Sequence, residues 1–311
     1  MMSNEYFNKS EYTMPQLLGR HMPLEENAAT ALKLAHTMGC NAAQIFISSP
    51  RIWTPPNSPQ RISELQSAVA NSGLRQIIVH AAYLINLASA KDDTREKSRQ
   101  LLKWTMETSA AIGVSDVVFH TGSHGGSGIE IGKERIIEGV SFALEHLSKP
   151  IRILFENDAG AGFGIGADFA AMKEMTDILS QRFPGRIGVC LDTAHLWGAG
   201  SDIGTAAAAK QTADFLDTMM GLERVFVLHF NDSRVPCGSH RDVHAKLGEG
   251  TIGLEGLRAF VQDSRLSKAV ILLETPISQN DGANDWADET KRIAFARALA
   301  FTQDPISPEQ T

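Results

Sequence analysis

Cysteine is scarce and scattered: Cys40, Cys190 and Cys237 are the only three in 311 residues, and no two form a C-x-x-C pair. Neither a disulfide framework nor a thiolate zinc finger is suggested, so any bound metal must be held by histidine and carboxylate. Long apolar runs are missing too, and none approaches the roughly 20 residues of a membrane-spanning helix. The opening residues, MMSNEYFNKSEY, lack the basic-then-apolar order of a signal peptide. A cytoplasmic protein without a membrane partner is expected. Positive charge is in deficit. The formal net charge of -7 argues against a generally basic surface made for nucleic acid, although divalent cations in a cleft can reverse the local sign of an acidic protein.

What is present is a repeating pattern. With 43% hydrophobic and 21% charged residues, the chain has material for one barrel-sized core. Residues 1–15 are polar and aperiodic and read as an extension, and 303–311 as a tail. Between them, short apolar runs recur: Gln16 to His21, Gln44 to Ser48, Gln76 to His80, Asp116 to His120, Ile151 to Glu156, Gly188 to Asp192, Val225 to His229 and Ala269 to Glu274. Helical spacing separates them. Leu24 to Met38 places Ala28, Ala31, Leu32 and Ala35 on one face before Gly39; Arg95 to Ile112 and Lys133 to Leu147 carry similar stripes, as do Phe169, Met172, Met175 and Leu179. Strand and helix alternating through 16–302 predict a single (β/α)8 TIM barrel. A doubly wound open sheet is the competing arrangement, but no Gly-x-Gly-x-x-Gly turn follows the first strand.

The strand ends carry the chemistry. Runs three to eight finish on His80, His120, Glu156, Asp192, His229 and Glu274, with His195 one short turn past Asp192 and Asp242-Val243-His244 in the segment after His229. A parallel barrel brings such ends to one face. Each residue has a bland reading, since rim histidines are common and acidic residues often cap helices. Six ends in a row would then crowd carboxylates and imidazoles with nothing to neutralise them, which is costly. Metal resolves the conflict. Oxygen and imidazole donors without thiolate suit Zn²⁺ or Mn²⁺, and this many ligands exceeds one tetrahedral ion, so two or three are expected.

The motifs HAAYLINLAS (80–89), FHTGSH (119–124), ENDAGAG (156–162), CLDTAHLWGAG (190–200), HFNDS (229–233), DVHAKLGEGTIG (242–253) and LLETP (272–276) resemble, in order and approximate spacing, the endonuclease IV family of apurinic/apyrimidinic endonucleases, within the xylose isomerase-like barrels. The resemblance implies three Zn²⁺ ions in the barrel mouth, with Mn²⁺ admissible at one site, and cleavage of double-stranded DNA on the 5′ side of an abasic site by a monomer in base excision repair. Carried over by motif, His80, His120 and a bridging Glu156 would hold one ion. Glu156, Asp192, His229 and Glu274 would hold the second, and His195, Asp242 and His244 the third. Glu156 and Glu274 would be catalytic, Glu274 by orienting or deprotonating the attacking water. Arg51 and Tyr83 match residues that enter the DNA, hold it bent and help flip the abasic nucleotide out.

Departures from the family pattern fall in the loops: GRHMPLEEN in the first, Ile52 after Arg51, Ala161 in the fifth-strand motif, and the glycine-rich His124-Gly125-Gly126. These leave the ligands intact and bear on DNA grip. The alternative function is a metal-dependent sugar isomerase or epimerase of the same barrel superfamily, stabilising an enediolate between carboxylates. The third ligand set has no role in a one- or two-ion isomerase.

Overall fold

Successive side chains of a strand point to opposite faces, so one apolar run can serve two cores at once. The computed structural model, which describes residues 16–23, 27–56, 58–145, 147 and 149–302, uses this throughout. The chain runs β1 (Leu18–His21), α1 (Ala28–Thr37), β2 (Ala42–Ile45), α2 (Pro59–Ala70), β3 (Gln76–His80), α3 (Asp92–Ile112), β4 (Asp116–His120), α4 (Ile129–Leu144), β5 (Arg152–Glu156), α5 (Phe169–Arg182) and β6 (Ile187–Asp192). It continues with α6 (Thr193–Ala199), α7 (Ala206–Met220), β7 (Val225–His229), β8 (Asp232–Ser233), β9 (His244–Ala245), α8 (Leu254–Val261), β10 (Val270–Leu273), β11 (Gln279–Asn280), β12 (Ala283–Asn284) and α9 (Trp286–Phe301). Strands β1 to β7 and β10 form a closed barrel in the order β1-β10-β7-β6-β5-β4-β3-β2, and every pair is parallel. This is the expected TIM barrel. The proposed extension 1–15 and tail 303–311 lie outside the described residues, and no described helix is long and apolar enough to cross a membrane.

One strand face packs Leu18, Val79, Phe119, Phe155, Leu191 and Leu273 against the surrounding helices. The opposite face fills the barrel with Ala42, Ile78, Val118, Leu154, Cys190, Val227, Val270 and Leu272. Two residues further along six of these strands, the period returns the interior face to His80, His120, Glu156, Asp192, His229 and Glu274. The polar layer therefore rests on an apolar floor, and a slip of one residue would turn it towards the helices.

Local signals set the helix ends. Ser58 Oγ accepts the Arg61 N–H at 3.2 Å with Pro59 beginning α2, and Asp168 Oδ1 accepts from Ala171 at 2.9 Å to start α5, both ordinary N-caps. The second strand lies further towards the N-terminus than the apolar run Gln44 to Ser48 suggests. Small Ala42 and Ala43 form its buried part, paired with β1 and β3, where the barrel wall leaves little space. Gly19 shows how little: a Cβ there would lie 1.7 Å from the Ala42 carbonyl oxygen. The seam is tied by a buried ion pair, Arg20 of β1 with Glu289 of α9. Arg20 also donates to the Thr275 carbonyl at 3.1 Å.

Because backbone cannot yield as a flexible side chain can, Gly19→Ala is expected to cost on the order of 2 kcal/mol or more through overpacking. Urea unfolding followed by far-UV circular dichroism measures it.

Candidate metal centre

The interior layer converges on Glu156, a fully buried carboxylate at the end of β5. His80 Nε2 lies 3.1 Å from its Oε2 and His120 Nδ1 3.6 Å from the same atom. On the other side, His229 Nδ1 is 3.0 Å and His195 Nδ1 3.5 Å from Oε1. Burial pushes the Glu156 carboxyl up, but His120, His229 and the His80 hydrogen bond outweigh it and hold it well below the usual carboxylate range. Glu274, one residue beyond β10, lies with Oε2 3.2 Å from His229 Nδ1. Burial raises it too, yet His229 and His21 keep it below its ordinary value.

Asp192 combines the bland and the sharp expectations. Its Oδ1 caps α6 by accepting the His195 N–H at 2.9 Å, which brings His195 back over the barrel. Its Oδ2 takes a 2.6 Å bond from Asn231 Nδ2 and lies 3.4 Å from His244 Nε2. Half-exposed Asp242 spans the remaining two imidazoles, 3.2 Å from His195 Nε2 and 3.1 Å from His244 Nε2. Their segment is held by Asp232, whose carboxylate accepts N–H groups from Ser233, Gly248, Gly250 and Ile252 at 2.8 to 3.1 Å.

The imidazoles are oriented as ligands are. His80 Nδ1 is 2.7 Å from the Ala81 carbonyl, His195 Nδ1 2.9 Å from the Asn157 carbonyl, and His244 Nδ1 3.2 Å from the Glu274 carbonyl. A carbonyl only accepts, so each ring commits one N–H outward and turns its other nitrogen to the carboxylates. Among the described residues, ligand-capable atoms gather within 4.8 Å of one another in His80, His120 and Glu156; in Glu156, Asp192, His229 and Glu274; and in Asp192, His195 and His244. Asp192 thus joins the third group from which the sequence reading had kept it apart, with Asp242 beside it. His244 Nε2 is buried between two acids, 3.4 Å from Asp192 Oδ2 and 3.1 Å from Asp242 Oδ1. The set of oxygen and imidazole donors fits divalent cations such as Zn²⁺. Cys190 also reaches Glu156 and His229, but burial pushes its thiol up to about 12, so it stays neutral.

Above this layer opens a cleft of about 740 Å³ whose wall includes Phe46, Tyr83, His120, His195, Asp242 and His244. Tyr83 is 59% exposed, with its ring 5.1 Å from Phe46 and 5.6 Å from His80. Arg51 stands exposed on the neighbouring loop beside exposed Ile52 and forms no ion pair with a described residue. Gln44, His21, Asn157, Asn231 and Asp232 were not singled out from sequence. The first of these was findable once β2 is set in register, because it stands two residues after Ala42 as the six strand-end acids and histidines stand two after a floor residue.

Fold and donor set together define a xylose isomerase-like TIM barrel, the description of the family model that matches residues 32–297. The chain is 36% identical over 303 residues to "Probable endonuclease 4" of Halorhodospira halophila, covering 95% of this chain and 97% of that protein. It is 34% identical to the protein of the same description from Chloroflexus aggregans, over 92% of this chain and 98% of that one. It therefore belongs to the endonuclease IV family. The crystal structure of endonuclease IV from Thermus thermophilus superposes with a TM-score of 0.72 at 36% identity, over 88% of this chain and 99% of that one. A D-psicose 3-epimerase superposes with a TM-score of 0.65 at 12% identity, a likeness of fold alone.

Without a cation, protons neutralise the centre. Burial lowers His195, but Asp192 and Asp242 raise it to about 10, and the acids around His244 likewise hold it well above its ordinary value. The acids thus bias both imidazoles beside Asp242 towards the protonated form, and a divalent cation binding there would displace such protons. Zn²⁺ added to chelator-stripped protein at pH 7 is expected to release more than one proton. Apparent affinity should fall as pH is lowered; calorimetry in buffers of different ionisation heat measures both.

Proposed function

We propose that the protein is a zinc-dependent AP endonuclease that hydrolyses double-stranded DNA on the 5′ side of abasic sites, leaving 3′-hydroxyl ends, in base excision repair. The observation that carries this reading is the third group, in which His195, Asp242 and His244 close on Asp192 beside the Glu156-centred groups. A sugar isomerase or epimerase needs no such extension of its site. Residues His80, His120 and Glu156 would hold one Zn²⁺; Glu156, Asp192, His229 and Glu274 a second; His195, Asp242 and His244 a third, with Mn²⁺ admissible at one position. Such ions supply charge stabilisation to a phosphate in flight and lower the pKa of bound water from about 15.7 towards roughly 7.

The chain's own groups do the rest. Glu274, with its Oε2 turned towards the centre, orients the attacking water or accepts its proton, and the departing 3′ oxygen takes up a proton as its bond to phosphorus breaks. Tyr83, with its ring already seated on Phe46 and His80, enters the duplex next to the lesion, and Arg51 meets the backbone phosphates. With an acidic balance of -7 overall, DNA is held by a local rim and the cations, so binding should weaken with salt less steeply than for a protein making many Lys/Arg phosphate contacts. The protein is proposed to act as a cytoplasmic monomer.

A duplex with one tetrahydrofuran abasic analogue, incubated without added Mg²⁺, should be nicked on the 5′ side to give an end that a polymerase extends. Metal analysis should find close to three ions per chain, mainly zinc. Glu156→Gln should nick at least about a hundredfold more slowly, since it removes a shared charged ligand. Nicking at the wild-type rate would remove Glu156 from the mechanism, and one ion per chain with epimerisation of a ketose would establish the alternative.

A further inference from the structure

We infer that Gln44 is a positioning residue for the metal centre: one amide fixes which nitrogen of His229 faces the cation and, at the same time, holds the Glu274 carboxylate. The inference rests on the proposed metal reading. Gln44 is fully buried in the barrel, at the interior position that β2 contributes to the ligand layer. Its Nε2 lies 2.6 Å from Glu274 Oε1 and 2.8 Å from His21 Nδ1, and its Oε1 lies 3.1 Å from His229 Nε2.

Only one orientation of that amide is tolerable. Turned over, its oxygen would face a carboxylate oxygen at hydrogen-bonding distance, two acceptors without a proton between them. With Nε2 on Glu274, the amide oxygen must receive a proton from His229 Nε2. The electron pair of His229 Nδ1 is then free, and that atom lies 3.0 Å from Glu156 Oε1 and 3.2 Å from Glu274 Oε2, where a shared cation would sit. Nε2 donates to Glu274 Oε1, which His21 Nδ1 also approaches at 3.0 Å, so Glu274 is held through Oε1 and presents Oε2.

His80, His195 and His244 take the same instruction from backbone carbonyls, which the barrel itself immobilises. Of these four imidazoles His229 alone depends on a side chain. A packing role would be met by leucine or methionine without the cost of burying an amide, whereas both ends of Gln44 are spent on ligands of a single ion. Removing an outer partner of this kind commonly weakens metal binding about 10- to 100-fold.

The test uses the zinc-loaded protein with Gln44→Met, which keeps volume and loses the amide, and Gln44→Glu, which can accept from His229 but repels Glu274. Zinc transfer to a chromophoric chelator should show one ion leaving Gln44→Met about 10- to 100-fold faster than from wild type, with the others unchanged, and a cobalt-substituted sample should show an altered visible spectrum. Gln44→Glu should lose that ion as fast or faster. In the unaltered holoprotein, imidazole ¹⁵N shifts should place the His229 proton on Nε2, a readout that survives if a variant does not fold. Wild-type zinc kinetics and cobalt spectrum in folded Gln44→Met, or a His229 proton found on Nδ1, overturns the inference while leaving the metal centre standing. A wild-type protein that holds no divalent ion overturns both.

Discussion

A buried negative charge that must be matched organises this molecule. Glu156 has no contact with solvent and four imidazoles around it, an arrangement that would be ruinous as isolated charges. The barrel tolerates it because the same strands bring Asp192 and Glu274 alongside, making a zone in which cations of some kind are obligatory. In the bare protein that need favours protonated imidazoles, and a divalent cation would compete for the same electron pairs. The apolar floor beneath keeps water from screening the charges from below. Stability and chemistry thus draw on one electrostatic fact, and the loops above vary around it.

Much of the barrel was legible because its evidence is periodic. The runs ending at His80, His120 and His229 coincide with strands as observed, and the ligand types at their ends stand out because a charged residue closing a buried strand has few reasons to be there. β2 was harder. Its wall residues are Ala42 and Ala43, which carry no strand signature, while the β-branched Ile45 and Ile47 drew the reading two residues onward. That shift hid Gln44, which a correct register would have placed in the ligand layer.

Other parts leave no linear trace. Asn157 and Asn231 support Asp192 as neutral amides, with no charge to notice, and both gain meaning only when β5, β6 and β7 lie side by side. A helix cap and a place in the acid and imidazole cluster do not exclude each other at Asp192, since its Oδ1 caps α6 while its Oδ2 turns to Asn231 and His244. Asp232 resembles an ordinary loop acid in sequence; only the fold shows it gathering four amides of the segment that carries His244. Its relatives of fold, including sugar epimerases, show how little the barrel alone decides.

The tie between Arg20 and Glu289 has a consequence in time. A chain emerging from the ribosome offers β1 first and α9 last, so Arg20 waits through nearly the whole of synthesis before its partner exists. Until β10 pairs with it one side of β1 is an open sheet edge, and until α9 follows the guanidinium has no reason to leave water. Glu274 arrives on the same late segment. Closure of the wall and completion of the cluster of acids and imidazoles are therefore one event, and an unfinished chain neither seals its core nor completes that cluster.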